Sequence, residues 1–150
     1  MKITEFLSAD AVDAMLRATD KASVMAELAA LLARRVPQAN AEKLKEVLLD
    51  RERLSSTGIG DGVAIPHGKL PGLPGLTAAF GVSKEGIDFD AIDGRPTHLF
   101  FALLAPENSA GIHLKALARI SRLFKNPSFR KAIAEAGDAK AIYELIATED

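Results

Sequence analysis

The run "LFFALLA", residues 99 to 105, carries no charge and no turn-forming residue. A continuous apolar run of about four to eight residues suits a strand buried on both faces. It is far short of the about 20 apolar residues that cross a bilayer. The spacing predicts a central strand over 97–104. A strand apolar on both sides needs cover on both sides, and that requirement governs how the rest of the chain can be arranged.

The chain offers helices before and after it. Asp20 is placed to cap a helix bearing Val24, Leu28, Leu31 and Leu32, which Pro37 stops. Asn40 is placed to cap a second, with Leu44, Val47 and Leu48 as its stripe. After the central strand, residues 110–124 carry Leu114, Leu117, Ile120, Leu123 and Phe124. These spread beyond one face, which predicts a well-buried helix. Asn126 and Pro127 suit N-cap and N1 of a helix that stops at Gly137, and Asp138 caps a last one with Ile142, Leu145 and Ile146.

Between these lie short extended segments. Residues 63–66 form an apolar strand, "PGLPG" at 71–75 a loop, Leu76 to Ser83 a strand, and "GIDFD" at 86–90 another. "DGRP" at 93–96 is a turn, and residues 3–18 suit a brief extended lead and a short helix. The order predicts an α/β fold, with α+β as the alternative. A small mixed sheet is flanked by helices in a single domain over 1–150.

A net charge of −1 argues against broad capture of nucleic acid or an anionic membrane. The absence of cysteine removes thiol chemistry and fits a reducing compartment. "MKITEFLSADAVD" lacks the apolar centre of a signal peptide, so a cytoplasmic chain is expected, with no membrane insertion.

The chemistry falls to three histidines. His98, inside the central strand, reads as a strand-end residue satisfied by a backbone partner. His113 opens a helix, beside free N–H groups that suit an anion and disfavour imidazolium; an exposed helix-start histidine is the plain alternative. His67 stands in "DGVAIPHGKL", where Pro66 stiffens the approach and Gly68 leaves room for a partner backbone or a phosphate. The preceding "SSTGIGDG" can turn N–H groups and hydroxyls toward an anion. Residue chemistry alone leaves His67 as either an ordinary strand–turn histidine or a presented imidazole.

Other site chemistries fit poorly. "GIGDG" has neither dinucleotide nor P-loop spacing, and no H-x-x-x-H or H-E-x-x-H offers a zinc site. Lys115, Arg119 and Arg122 form a basic stripe, either a solvated face or a docking surface for an acidic or phosphorylated partner.

Glu52, Ile59, Gly60, Val63, Ala64, Ile65, Pro66, His67 and Gly68 together fill a long pattern. It resembles the signature of phosphotransferase-system enzyme IIA domains of the mannitol/fructose/nitrogen-regulatory class. "FDAIDGRP", "LFFALLAP" and a helix-start His113 agree with it, and the resemblance covers about residues 3–147. Within that class the chain looks most like the stand-alone nitrogen-regulatory enzyme IIA.

The resemblance implies that His67 accepts a phosphoryl group on Nε2 from a phosphohistidine carrier of the HPr type, here a nitrogen-type carrier. It implies that His113 contacts that group, that Arg51 lies near the site, and that Thr57 is a nearby hydroxyl. No cofactor or metal is implied. The implied protein is a phosphoryl-transfer component with a mainly regulatory role. Its phosphorylation state would signal to targets such as potassium-transport components or regulatory kinases. The alternatives are a sugar-specific IIA that passes phosphate to a IIB domain, and a protein-binding module indifferent to phosphorylation. Lys69 has no assigned part; steering of the carrier and a plain surface position both stay open.

Overall fold

Strand β6 (Thr97–Ala105) is the axis of the computed structural model, which describes residues 1–150. Every residue from Leu99 to Ala105 is buried. On one side β6 pairs antiparallel with β5 (Thr77–Ile87), which pairs parallel with β1 (Val12–Asp13). On the other it pairs parallel with β3 (Val63–Ala64) and β4 (His67–Lys69), and β2 (Gly58–Gly60) closes the edge antiparallel to β3. The sheet is therefore mixed.

Alternation along β6 sorts the core into two faces. Phe101 lies against Phe80 and against Phe124 of α3 (Ala110–Phe124), with Phe129 of α4 (Pro127–Glu135) behind them. Phe100 points the other way, edge-on to Phe89, whose ring lies under the Lys21 ammonium of α1 (Lys21–Ala33). α1 packs on α2 (Ala41–Glu52) over this second face, while α3, α4 and α5 (Ala139–Glu149) cover the first. The α/β expectation holds, as helix layers sandwich a mixed sheet.

The capping reading also holds. Asp20, Asn40, Asn126 and Asp138 each accept from a backbone N–H in the first turn of their helices. Helix α1 ends at Ala33, a little before Pro37.

Four expectations are corrected. Residues 3–18 hold two single turns of 3-10 helix, Ile3–Glu5 and Ala9–Ala11, and then β1, because sheet pairing takes over at Val12. Leu76–Ser83 and "GIDFD" do not form two strands. One strand runs through polar Ser83, Lys84 and Glu85 with a bulge before Ile87, and Gly86 takes a φ of 85° there. The 63–66 segment breaks at Ile65–Pro66 into β3 and β4. Both keep one register against β6, because Pro66 loses only its own N–H and still accepts from Leu103 N–H at 2.9 Å. Helix α3 is not buried all round: His113, Ala116, Ile120 and Phe124 face the core, while Ile112 and Leu114 stand in solvent.

Candidate functional site

His67 opens β4, and the alternation of the strand divides its neighbours between the two helix layers. His67 turns toward α3, and Gly68 turns toward α2. A β-carbon at Gly68 would stand 2.5 Å from Val47 Cγ1. The expected room beside Gly68 exists, but α2 fills it rather than an external partner.

His67 Nδ1 lies 2.8 Å from the carbonyl oxygen of Ile65. A carbonyl only accepts, so Nδ1 carries the proton and donates, and Nε2 keeps its lone pair. Burial lowers the pKa of the ring, and the nearby Arg51 guanidinium lowers it further; the Ile65 hydrogen bond and Glu52 pull the other way. The group is a neutral imidazole with one free nitrogen.

That nitrogen's ring meets His113. The two rings stand edge to face, with centroids 5.3 Å apart and planes at 79°. His113 is buried at the first turn of α3, and its Nε2 has no hydrogen-bond partner. Burial holds its pKa down, with His67 and Lys69 adding to the effect. The sequence pair His67–His113 is thus brought together, by a strand on one side and a helix start on the other.

Two clefts flank His67. One, of about 400 Å³, is bounded by Arg51, Thr57, Ile59, Leu114 and Ser121. The other, of about 460 Å³, runs past Arg51, Lys69 and His113 to the exposed Leu54. Arg51 belongs to both, and its Nη1 donates to Ser55 O at 3.0 Å. Thr57 lines the first, but its hydroxyl proton goes to Glu52 Oε1 at 2.6 Å. Lys69, unassigned from sequence, lies on the wall of the second cleft near His113.

The other sequence candidates sit elsewhere. His98 Nδ1 donates to Ser83 O at 2.9 Å, the backbone satisfaction expected of it. Lys115, Arg119 and Arg122 line a separate cleft, and Arg119 approaches the Asp150 carboxylate at 3.6 Å.

Sequence reasoning assigned no part to Lys21 and none beyond motif membership to Glu52. Yet the Glu52 carboxylate is 3% exposed and takes Lys21 Nζ at 2.9 Å. A signal existed, since Glu52 continues the buried row of Leu44 and Leu48 at four-residue steps.

Residues 5–149 match the family described as phosphoenolpyruvate-dependent sugar phosphotransferase system, EIIA 2. A nitrogen regulatory protein of Bradyrhizobium diazoefficiens is 44% identical over 98% of this chain and 95% of its own length. A fructose-specific EIIABC component of Bacillus subtilis is 38% identical over the whole chain, which spans 24% of that protein. The crystal structure of the nitrogen regulatory protein IIA-Ntr from Neisseria meningitidis superposes with a TM-score of 0.90 at 35% identity. It covers 96% of this chain and 98% of that one. The family match over nearly all residues agrees with the mixed sheet. This chain belongs to the phosphotransferase-system EIIA 2 family, with its likeness directed at the nitrogen-regulatory members.

Proposed function

We propose that this chain is a regulatory phosphocarrier that takes a phosphoryl group on His67 Nε2 from a nitrogen-type, HPr-like phosphohistidine carrier. Its phosphorylation state then reports to target proteins. The observation that carries the reading is the Nδ1–H bond to Ile65 O, which leaves Nε2 as the one nucleophilic atom of a half-buried neutral ring.

The chemistry balances without a separate base. The Nε2 lone pair attacks phosphorus as the P–N bond to the carrier's imidazole breaks. That imidazole leaves with the bonding pair and is neutral when its other nitrogen bears a proton. His67 Nδ1 keeps its proton, donated in the hydrogen bond to Ile65 O, so the phosphorylated ring remains able to leave as neutral imidazole in a later transfer. Such transfer depends on positioning and charge stabilisation. Arg51 brings a cation to the cleft, and His113 Nε2 brings a buried nitrogen that is free to meet a phosphoryl oxygen.

The test supplies phosphoenolpyruvate, enzyme I and either an HPr or a nitrogen-type carrier, and maps the product by mass spectrometry. Phosphate should appear on His67 and vanish in His67→Ala. Modification that survives in His67→Ala overturns the assignment. A second reading, a sugar-specific IIA that hands its phosphoryl group to a IIB domain, draws on the fructose-specific relative. Fast loading by HPr with onward transfer to a fructose-type IIB would favour it over regulation. Identical partner sets for wild type and His67→Ala in a pull-down would favour a phosphorylation-independent binding module.

A further inference from the structure

Next to the cleft-lining Thr57 lies a buried carboxylate, Glu52, with an ion-pair partner, and the proposed transfer does not use it. Glu52 Oε1 accepts both donors of Thr57, the backbone N–H at 3.0 Å and the hydroxyl at 2.6 Å. Glu52 Oε2 accepts from Lys21 Nζ at 2.9 Å, and the same ammonium reaches Asp90 at 3.0 Å. Burial alone would push the Glu52 carboxyl up, but the hydrogen bonds from Thr57 and Lys21 outweigh it and keep the group ionised.

The connection onward is geometric. Residues 53–57 form the loop that leaves α2, and Glu52 clamps it at Thr57. One residue away from the clamped Ser56–Thr57 corner, Ser55 O receives the Arg51 guanidinium at 3.0 Å. Ser56 is fixed in turn, donating to Phe89 O at 2.8 Å and accepting from Gly58 N–H at 3.1 Å. The position of Arg51 over the His67 clefts is therefore set by a loop that Glu52 holds. Both nearby hydroxyls spend their protons inside the protein, so neither is free to donate to a bound phosphoryl group.

We propose that Glu52, paired with Lys21 at 2.9 Å, is a positioning residue for phosphoryl transfer: it fixes the 53–57 loop and, through Ser55 O, the Arg51 guanidinium beside His67. This rests on His67 as the phosphoryl acceptor. Arg51 meets the phosphoryl group in this scheme, while Glu52 and Lys21 act only through the loop. Substituting Lys21 by an apolar residue leaves a buried carboxylate unpaired, whereas arginine retains the charge.

The experiment uses the full chain as wild type, Glu52→Gln, Lys21→Met and Lys21→Arg. Fold is checked by thermal unfolding and by amide NMR spectra. Phosphorylation by an HPr-type carrier is resolved into kcat and KM, and the His67 imidazole is titrated by NMR without phosphate. For Glu52→Gln, kcat should fall about tenfold or more while KM stays within about twofold, since the outer surface is untouched. Its His67 midpoint should move down, because a nearby negative charge is lost. Lys21→Arg should keep kcat within about threefold of wild type, and Lys21→Met should not.

A folded Glu52→Gln protein with unchanged kcat and an unmoved His67 midpoint overturns the proposal. So does a parallel loss of kcat and thermal stability that Lys21→Arg fails to rescue. Wild type that takes no phosphoryl group from the carrier or from phosphoramidate overturns the acceptor reading instead. The His67 midpoints then still decide whether Glu52 acts on that ring.

Discussion

The imidazoles of His67 and His113 meet edge to face at 5.3 Å between centroids, and His113 Nε2 is buried with nothing to bond. A buried polar atom without a partner costs stability, so its presence here points to a use outside the folding balance. His113→Leu should therefore leave the unfolding midpoint unchanged or raise it. The same substitution should slow phosphorylation of His67 by about a hundredfold, the scale of losing one preorganised donor to a developing anion. Stopped-flow transfer from the carrier, paired with thermal unfolding, checks both halves. A destabilised variant with wild-type transfer would assign His113 to the core alone.

Both rings titrate below the ordinary imidazole value, with burial as the largest cause in each. As pH falls below about 6.5, the unfolded chain takes up protons that the folded chain still refuses. The stabilising difference is complete above that pH and is lost progressively toward the lower folded-state values. Glu52 adds its own loss only further down, below its ordinary value of 4.5. Urea unfolding across about pH 8 to pH 5 should show a slope in wild type and a flatter line in a His67→Ala/His113→Ala double variant. Equal slopes would remove the two histidines from the pH response. For the same reason, phosphorylation should hold its rate to below about pH 6.5, since the ring stays neutral and nucleophilic there.

Gly68 and Val47 form the tightest helix–sheet approach next to the site, with 2.5 Å left for an added β-carbon. Gly68→Ala should cost about 1–3 kcal/mol, the usual penalty of overpacking. Val47→Ala removes the opposing methyls, so the double variant should lose less than the sum of the two single changes. Chemical denaturation of the four proteins measures that coupling. Strict additivity would show that α2 yields freely and that the glycine answers some other need.

Much of the fold was legible because it rests on local chemistry. The Asp20, Asn40, Asn126 and Asp138 caps state themselves in sequence, as does the apolar run of β6. What escaped depended on partners distant in the chain. Val12–Asp13 is a strand because Phe80–Gly81 lies beside it, and Lys84 and Glu85 stay in β5 because the strand continues past the sheet's cover. A long motif singled out His67, but the ring's tautomer required the Ile65 carbonyl in place. Thr57 lines the cleft, and its bond to Glu52 could not be read from spacing. Leu114 looked like core because periodicity reports apolar residues and not what covers them.

That misreading of Leu114 has a functional side. The residue is 68% exposed on α3, and Ile59 on edge strand β2, which lines the same His67 cleft, is 42% exposed. Both branched apolar side chains leave much of their surface in solvent, and both line the cleft at His67. An apolar rim around a polar centre suits a protein donor that must expel water from the transferring group. Leu114→Asp should therefore raise the KM for the phosphocarrier by about tenfold and leave kcat within about twofold. The thermal midpoint should not move, since the side chain packs against little. Phosphoramidate, a donor too small to touch the rim, should phosphorylate the variant as fast as wild type. Equal slowing with both donors would place Leu114 in the organisation of the site itself, and an unchanged KM would remove it from the docking surface.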